Sequence, residues 1–485
     1  MADTLQTKDS KTEDAIGSSK QQESNDISLI ESKTTIQLRV AFIHPDLGIG
    51  GAERLVVDAA VGLQSRGHKV TMYTSHHDCS HCFEETRDGT LNVHVFGDWL
   101  PRSFFGKGGM ILFAILRSLY LAMALITIHR NDYDILFVDQ LSFSIPILKL
   151  TGAKILFYCH FPDKLLTQRD SLIKRVYRIP FDIMEELTTK MADKVVVNSN
   201  FTASVFNSSF QTMSEKPGVL YPGIRLDAYD RQVDTTDVSV KPLISKCITI
   251  ISINRFERKK NIGLAIRAFA LLSTHVPKYY SQLRLIIAGG YDVRVSENVE
   301  YMQELQALAQ ELGLAIATLD GKDTLKHPSD AQVIFLPSFS EAQRTFILST
   351  SLCLVYTPVH EHFGIVPIEA MYAQLPVVAA NNGGPTESIL HNATGILCDA
   401  EPDSFSRSIA LLVKDKNKAK AMGKLGRERV TTKFSLETFT KSLEHILFET
   451  MESDNMDAVM TSYVVYLTVI SLTPVFIVTM LYILL

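Results

Sequence analysis

The stretch CITIISINRFERKKN, residues 247–261, joins a continuous apolar run to a basic loop. A run without alternating polar residues is typical of a strand buried on both faces of a parallel sheet. Amphipathic helical patterns separate this run from others like it, so the sequence predicts an α/β fold with helices on both faces of parallel sheets. The other runs lie at 36–44, 68–74, 135–139, 153–160 and 194–199 in the first half and at 283–289, 332–337, 352–358 and 376–380 in the second.

The runs fall into two groups separated by LDAYDRQVDTTDVSVKP at 226–242, which is polar and unpatterned. We therefore predict two Rossmann-like domains, at 36–225 and 243–430, joined by this linker and followed by a C-terminal helix at 431–457. Ligands of such sheets bind at the carboxyl ends of the strands. Two facing domains would place the site in the cleft between them.

Composition excludes several classes of protein. The chain has 485 residues, of which 46% are hydrophobic and 21% charged, as in folded globular proteins rather than disordered or fibrous ones. Its net charge of −5 argues against nucleic-acid binding, and six scattered cysteines do not form a disulfide framework. The mean hydropathy of +0.10 suggests that part of the apolar surface meets lipid.

The two ends of the sequence differ sharply. Residues 1–35 are polar and lack the apolar run of a signal peptide, so we predict a disordered tail that stays in the cytosol. Residues 458–485 contain no charge, and a membrane span needs about 20 apolar residues. We predict a membrane anchor there, either one span or, because Pro474 lies near the middle, a hairpin. A buried core helix is the alternative.

A second apolar stretch, MILFAILRSLYLAMALITI at 110–128, carries one charge, Arg117. It is long enough to span a membrane, but a span would put the glycine loop at 48–51 and the motifs after residue 250 on opposite sides. We predict a membrane-facing helix of the N-terminal domain, with Arg117 reaching out to lipid headgroups. A helix packed on the sheet inside the fold is the alternative.

The first predicted strand ends in HPDLGIGGAER, residues 44–54. Glycines at a strand-to-helix turn let backbone N–H groups approach an anion. The dinucleotide fingerprint GxGxxG would need glycine at the position of Glu53, so a Rossmann dehydrogenase is excluded. A tight structural turn is the alternative.

The loop that ends the opening stretch carries Arg255 at the end of the strand and Lys260 next to Asn261, a good helix N-cap. Both cations would converge on one strand–helix crevice, which suits a diphosphate. Arg258 and Lys259 are interpreted as solvated.

The most specific stretch is YTPVHEHFGIVPIEAMY, residues 356–372. Glu361 lies in a loop after a strand, and Glu369 lies in the helix that follows. The helix N–H groups at 364–366 can hold phosphate, while carboxylates accept hydrogen bonds from hydroxyl-rich molecules. The pattern therefore predicts that two carboxylates meet different parts of one ligand.

GGAER, SINRFERKKN and EHFGIVPIE resemble the retaining glycosyltransferases of family 4, which have the GT-B fold, and the resemblance covers nearly all of 36–450. YCHFPDKLL (158–166) and the stretch at 356–372 resemble most the members that act as α-1,3/1,6-mannosyltransferases in dolichol-linked oligosaccharide assembly. This implies GDP-mannose as donor and a dolichyl-pyrophosphate-linked oligosaccharide as acceptor in N-glycan precursor synthesis. It also implies the endoplasmic reticulum membrane, with the catalytic domains on the cytosolic face, and other glycosyltransferases of the pathway as partners.

Carried over to this sequence, Arg255 and Lys260 match the pair that grips the donor diphosphate, and Glu361 matches the glutamate facing the transferred sugar. His160 matches a histidine that faces the sugar from the N-terminal domain. These four are the predicted catalytic residues. The predicted donor-binding residues are Glu369, which matches the ribose ligand, with Phe363, Gly364, Ile365, Gly50 and Gly51.

The resemblance implies a reaction without cofactor or metal, in which Arg255, Lys260 and helix N-termini stabilise the departing diphosphate. Retention allows a double displacement or a front-face attack, and we favour the latter because no carboxylate nucleophile is evident. The cluster HHDCSHC at 76–82 could hold zinc but is better interpreted as a loop. The alternatives for the whole chain are another family-4 enzyme with a different lipid-linked acceptor and a non-catalytic membrane scaffold. A scaffold would be expected to have lost Glu361, Glu369 or Lys260.

Overall fold

The structure, a computed structural model, describes residues 36–103, 110–166, 172–213, 215–319 and 331–453. These residues contain two sheets, each of seven parallel strands. The predicted tail at 1–35 and the predicted anchor at 458–485 lie outside these residues. The first sheet has the order β3-β2-β1-β4-β5-β6-β7, with β1 Arg39–His44, β2 Lys69–Thr74, β3 Asn92–Val95, β4 Ile135–Asp139, β5 Lys154–Cys159, β6 Lys194–Val197 and β7 Gly218–Val219. The second has the order β10-β11-β9-β8-β12-β13-β14, with β8 Ile248–Ile253, β9 Leu283–Gly289, β10 Ile316–Thr318, β11 Val333–Pro337, β12 Cys353–Tyr356, β13 Val377–Ala380 and β14 Gly395–Cys398.

Helices connect the strands and cover both sheets. In the first half they are α1 Gly51–Ser65, α2 Met110–Ile128, α3 Ile145–Leu148, α4 Asp163–Leu166, α5 Leu172–Thr189 and α6 Asn200–Ser209. In the second half they are α7 Ile262–His275, α8 Pro277–Tyr280, α9 Ser296–Glu311, α10 Glu341–Thr350, α11 Ile365–Tyr372, α12 Pro385–Ser388, α13 Pro402–Lys414, α14 Lys416–Lys433 and α15 Leu436–Glu452. The predicted fold of two Rossmann-like domains is confirmed.

Burial explains which strands the sequence reveals. Every residue of β4, β5 and β9 is buried, as expected for inner strands covered on both faces. The four strands that the apolar pattern does not predict, β3, β7, β10 and β14, are the edge strands of the two sheets, and each is partly exposed. A short edge strand needs no continuous apolar run, because part of its surface stays in water.

The C-terminal helix α15 packs on the N-terminal domain. Phe439, Leu443 and Leu447 join the core formed by β1 and α1. Glu444 accepts from Arg66 at 2.5 Å and lies 2.9 Å from His68 Nε2. The chain therefore crosses back from the second domain to the first, which a domain order read along the sequence does not reveal.

The linker at 226–242 packs closely on the second domain. Val240, like Leu243 just beyond the linker, is buried in the core of that domain, and Tyr229 packs against the same core. The linker thus supplies side chains to the core of the second domain.

Helix α2 occupies the predicted range 110–128 and is, among the described residues, the one helix long and apolar enough to cross a membrane. The expectation that Arg117 reaches lipid headgroups is wrong. Arg117 is buried, and its Nη2 donates to the Ser75 carbonyl at 2.7 Å, because it lies on the helix face that packs against the fold. The opposite face exposes Tyr120 and Met123, and Met110 is exposed at the start of the helix.

Helix α5 also exposes an apolar stripe: Val176, Ile179, Ile183 and Leu187. The spacing of three or four residues places them on one side of the helix. The other side of α5 packs with α2 in one small cluster, which includes Ile115 and Met184. The N-terminal domain therefore presents two adjoining helices with exposed apolar residues.

Candidate active site

The loops after β8 and β12 bring Lys260 and Glu361 together at the carboxyl edge of the second sheet. Lys260 Nζ donates to Glu361 Oε2 at 2.6 Å, and both side chains are largely buried. Burial alone would raise the pKa of Glu361, but the Lys260 ammonium and the Tyr356 hydroxyl hold it below its usual value. Thr357 Oγ1 donates to the Lys260 carbonyl at 2.8 Å, which ties the two loops together.

A pair of glycines sets the position of the Glu361 loop. Gly384 N donates to the Glu361 carbonyl at 2.8 Å, and a Cβ on Gly383 would approach that carbonyl oxygen to 2.5 Å. Gly383 has a φ of 68°, a conformation that favours glycine. The absence of side chains at 383–384 thus allows the Glu361 loop to pack directly against the backbone of this turn.

The loop leads into α11, whose N-cap is Gly364 with a φ of 84°. Ile365 begins the helix. The side chain of Phe363 is buried against Tyr221 and Phe434 rather than facing a ligand, so a donor could meet only its backbone.

Glu369, on α11, is held by two residues that the sequence did not suggest. Its Oε1 accepts from the Tyr229 hydroxyl at 2.7 Å and lies 2.7 Å from Arg344 Nη2. The Arg344 guanidinium also lies over the Tyr229 ring, 4.6 Å from its centroid. A linker residue and a residue of α10 therefore fix the orientation of this carboxylate.

Arg255 follows the same strand as Lys260 but lies in the open. Its side chain is 65% exposed, and its nearest ion-pair partner is Glu257 Oε1 at 3.2 Å. Gly290, which follows β9, lies against its aliphatic stem. An exposed guanidinium at a strand end can turn toward an anion in the cleft.

The N-terminal domain faces this edge through the segment after β5. The Phe161 ring stacks on the His362 ring with centroids 3.8 Å apart, and Ser199 Oγ donates to the His362 carbonyl at 2.5 Å. Burial lowers the pKa of His362 to about 4, so the stacked ring is neutral at physiological pH. His160, the residue before Phe161, is thereby placed beside the loop that carries Glu361.

His160 belongs to a linked group of titratable side chains. Its Nε2 lies 2.9 Å from Asp139 Oδ1, and the other oxygen of Asp139 lies 2.8 Å from His44 Nδ1. His44 Nε2 lies 4.0 Å from Glu53 Oε1 in the first turn of α1. The predicted residues Gly50 and Gly51 occupy the N-cap and first position of α1, and the Glu53 carboxylate folds over Gly50, where a Cβ would approach it to 2.2 Å.

A second contact between the domains involves Glu387 on α12. Its carboxylate accepts from the backbone N–H groups of Asn200 and Phe201 at 2.8 and 2.7 Å and from the Tyr221 hydroxyl at 2.9 Å. The turn and short helix at 383–388 therefore hold the N-terminal end of α6, in the other domain.

The structure brings Lys260 and Glu361 together directly, whereas His160 follows β5 in the facing domain and Glu369 lies in α11, after the Glu361 loop. Sequence reasoning missed Asp139, although it ends a predicted strand beside those that carry His44 and His160. Within the described ranges no group of three or more His, Cys, Asp or Glu residues is arranged to hold a metal ion. In the 76–82 cluster His76 pairs with Asp98 instead.

Comparison with known proteins gives two family matches that together cover most of the chain. The family described as Glycosyltransferase Family 4 matches residues 49–228, and the family described as Glycosyl transferases group 1 matches residues 234–429. Their boundary falls in the predicted linker.

Curated relatives are similar over most of their length. An α-1,3/1,6-mannosyltransferase ALG2 of Rhizomucor pusillus is 56% identical, with 86% of this chain and 92% of the relative covered. The human ALG2 enzyme is 46% identical (83% and 94%), and that of Candida albicans is 45% identical (86% and 100%). Among solved structures, a sucrose-phosphate synthase of Thermosynechococcus elongatus has a TM-score of 0.65 at 19% identity (86% and 100%). The lipopolysaccharide glycosyltransferase WaaG has a TM-score of 0.60 at 16% identity (84% and 99%). These two likenesses support the fold alone.

Proposed function

The chain belongs to the ALG2 family of α-1,3/1,6-mannosyltransferases and is a glycosyltransferase of N-glycan precursor synthesis, and from this premise we propose how its site works. The donor is GDP-mannose, and the acceptor is a dolichyl-pyrophosphate-linked oligosaccharide that receives first an α-1,3- and then an α-1,6-linked mannose. The observation that carries the proposal is the Lys260–Glu361 pair at the carboxyl edge of the second sheet.

Lys260 and Arg255 bind the donor diphosphate. Lys260 is held in place by Glu361, whereas Arg255 is exposed and can turn onto the phosphates when the donor enters. As the bond to mannose breaks, negative charge grows on the β-phosphate. Lys260, already in place, stabilises that charge more than it stabilises the intact donor, and Arg255 adds a second cation once it has turned. This role needs no metal ion and no cofactor.

The two glutamates recognise different parts of the donor. Both contacts of Glu369 are to Oε1, which leaves Oε2 to accept from a ribose hydroxyl. Glu361 gives one oxygen to Lys260, and its other oxygen can accept from a hydroxyl of mannose. Gly364 and Ile365 bring backbone N–H groups at the start of α11 to the phosphates.

Retention of configuration follows from attack on the face that the diphosphate leaves. A double displacement would need a carboxylate nucleophile free to reach the anomeric carbon. Asp139, the carboxylate behind His160, is buried between two imidazoles, and Glu361 is paired with Lys260, so neither carboxylate is a free nucleophile. The acceptor hydroxyl therefore attacks from the front, and the departing phosphate oxygen takes its proton.

The enzyme works on the cytosolic face of the endoplasmic reticulum membrane, with the exposed apolar residues of α2 and α5 against the lipid. These helices belong to the domain that carries His160 and the glycine loop, so the lipid-linked acceptor reaches the cleft from that side. Tyr120 and Met123 on α2 and Ile179 and Ile183 on α5 supply apolar surface for this contact.

The test is transfer with purified protein in vesicles that contain a lipid-pyrophosphate trisaccharide. Parallel reactions receive GDP-mannose, GDP-fucose or UDP-glucose, and linkage analysis identifies the products. We expect addition of two mannoses from GDP-mannose only, α-1,3 before α-1,6, with activity kept in excess EDTA. Equal use of UDP-glucose, or addition of no mannose, would contradict the proposal.

A further inference from the structure

One group of titratable side chains lies at the carboxyl ends of three adjacent strands of the first sheet. The strand order β1-β4-β5 places their carboxyl ends side by side, and these ends carry His44, Asp139 and His160. Asp139 has no exposed side-chain surface and His44 has 1%, whereas His160 has 23%. The group therefore runs from the interior to the wall of the cleft.

Burying Asp139 and His44 costs folding free energy, so we expect these two residues to have a function. A buried carboxylate and a buried imidazole lose hydration, and hydrophobic residues of similar volume would often serve stability equally well. Asp139 is hydrogen-bonded to His44 at 2.8 Å and lies 2.9 Å from His160 in an ion-pair contact, so one carboxylate touches two rings. Only one of these rings reaches the cleft.

We propose that Asp139 and His44 are positioning residues for mannosyl transfer: Asp139, held from behind by His44, fixes the His160 ring so that its other nitrogen accepts a hydrogen bond from a hydroxyl of the transferred sugar. This inference rests on the proposed function. His160 Nε2 is buried 2.9 Å from Asp139 Oδ1, an ion-pair contact that does not have the geometry of a hydrogen bond, so Nδ1 is the nitrogen left for the cleft. The negative charge of Asp139 beside Nε2 favours the proton on that nitrogen and leaves Nδ1 as the acceptor.

Electrostatics support this arrangement. Burial alone would lower the pKa of His44, but Asp139 and Glu53 raise it to about 9, so His44 is cationic at neutral pH. Burial alone would raise the pKa of Asp139, but His160 and His44 lower it to about 2. The His44 cation thus balances the Asp139 anion.

The other groups facing this cluster are Tyr158 and Cys159 on β5, whose pKa values burial raises well above the ordinary ones. Both stay neutral at physiological pH. The Tyr158 ring also lies edge-on to His160, with centroids 4.8 Å apart, which restricts the tilt of the imidazole.

The experiment is a double-mutant cycle on kcat with GDP-mannose and the lipid-linked trisaccharide. Asp139→Asn should lower kcat by about 10- to 100-fold, as loss of such orienting partners does elsewhere, while KM for the donor changes little. In a His160→Ala background the same substitution should cost almost nothing, because its effect passes through His160. Asp134→Asn is the matched control: it precedes the same strand and pairs with Arg39 at 2.6 Å, and it should leave kcat unchanged.

His44→Gln replaces Asp139→Asn in the cycle if the thermal unfolding midpoint shows that Asp139→Asn does not fold. We expect the same loss of kcat and the same non-additivity with His160→Ala. Wild-type kcat in both variants, or losses that multiply with that of His160→Ala, would overturn the inference. A measurement that needs no donor tests this inference separately from the proposed function. In ¹⁵N-histidine NMR, the signal of one ring should titrate near pH 9, be absent from His44→Gln and shift in Asp139→Asn. Spectra of both variants identical to that of wild type would overturn the inference whatever the donor.

Discussion

The Lys260 ammonium and the Glu361 carboxylate, 2.6 Å apart and 101 residues apart in sequence, join the loops after two adjacent strands, β8 and β12. The pair is held before any donor arrives, because Thr357 and the Gly383–Gly384 turn fix the backbone on either side. A cation already in place need not be reorganised as charge develops on the leaving group.

Lys260→Met should destabilise the fold in a pH-dependent way. It leaves Glu361 buried without its cation, which we expect to cost about 2 kcal/mol of unfolding free energy at pH 7. The wild-type pair stabilises the fold above the ordinary carboxyl pKa, and this is lost as pH falls through the lowered pKa of Glu361. In the variant, burial raises the pKa of Glu361. The carboxylate therefore becomes protonated on acidification, and the cost of burying its unpaired charge disappears.

Urea unfolding of wild type and Lys260→Met from pH 7 toward about pH 4 measures this difference. The gap in unfolding free energy should narrow as pH falls. Lys259→Met is the control, since Lys259 is exposed and pairs with Glu257, and it should show a small, pH-independent change. A gap of constant size would contradict the assignment.

Arg344→Ala should weaken donor binding more than chemistry. Without the guanidinium, Glu369 keeps one of its two contacts at Oε1, and a loss of about 1.4 kcal/mol raises KM for GDP-mannose roughly tenfold. Steady-state kinetics should show kcat little changed. Arg407→Ala, an exposed arginine on α13, is the control; equal effects of the two substitutions would refute the role of Arg344.

Glu387→Ala should loosen the contact between the domains. Two backbone N–H groups of α6 and the Tyr221 hydroxyl lose their acceptor, which we expect to cost about 2 kcal/mol. Chemical unfolding measures the loss, and Glu387→Gln should recover part of it. Glu428→Ala, at an exposed position on α14, should be close to neutral. An Ala variant as stable as wild type would show that this contact contributes little.

The double variant Ile179→Glu, Ile183→Glu should weaken binding to the membrane without changing the catalytic step. Two charges on the exposed stripe of α5 oppose contact with lipid, so transfer to an acceptor in vesicles should fall by about tenfold or more. Transfer to the same acceptor in detergent micelles should change little. Leu411→Glu, on an exposed position of α13, is the control. An equal loss in vesicles and detergent would indicate damage to the fold instead.

The sequence allowed the inner strands to be predicted but not the edges. All ten predicted runs form strands, because burial on both faces demands continuous apolar residues. The missed strands NVHV at 92–95 and IAT at 316–318 lie at sheet edges and carry no such signal. The error at Arg117 has a similar origin: a lone charge in an apolar helix looks the same whether it meets headgroups or a buried carbonyl such as that of Ser75.

Residues at strand ends could be predicted, and residues from distant elements could not. Lys260, Glu361 and His160 follow strands, where parallel sheets place their ligands. Arg344 lies within α10 and Tyr229 within the linker, and only the packing of the linker on the second domain brings them to Glu369. Asp139 could have been found, since it ends a predicted strand, but its two imidazole partners depend on the order of strands in the sheet.

The most direct test of the account is the turnover of Lys260→Ala with GDP-mannose and the lipid-linked trisaccharide, measured beside its binding of GDP. If Lys260 stabilises the departing diphosphate, kcat should fall by about 100-fold or more for both linkages, in protein that still folds. The loss in affinity for GDP should be much smaller. Turnover near that of wild type would contradict the central claim.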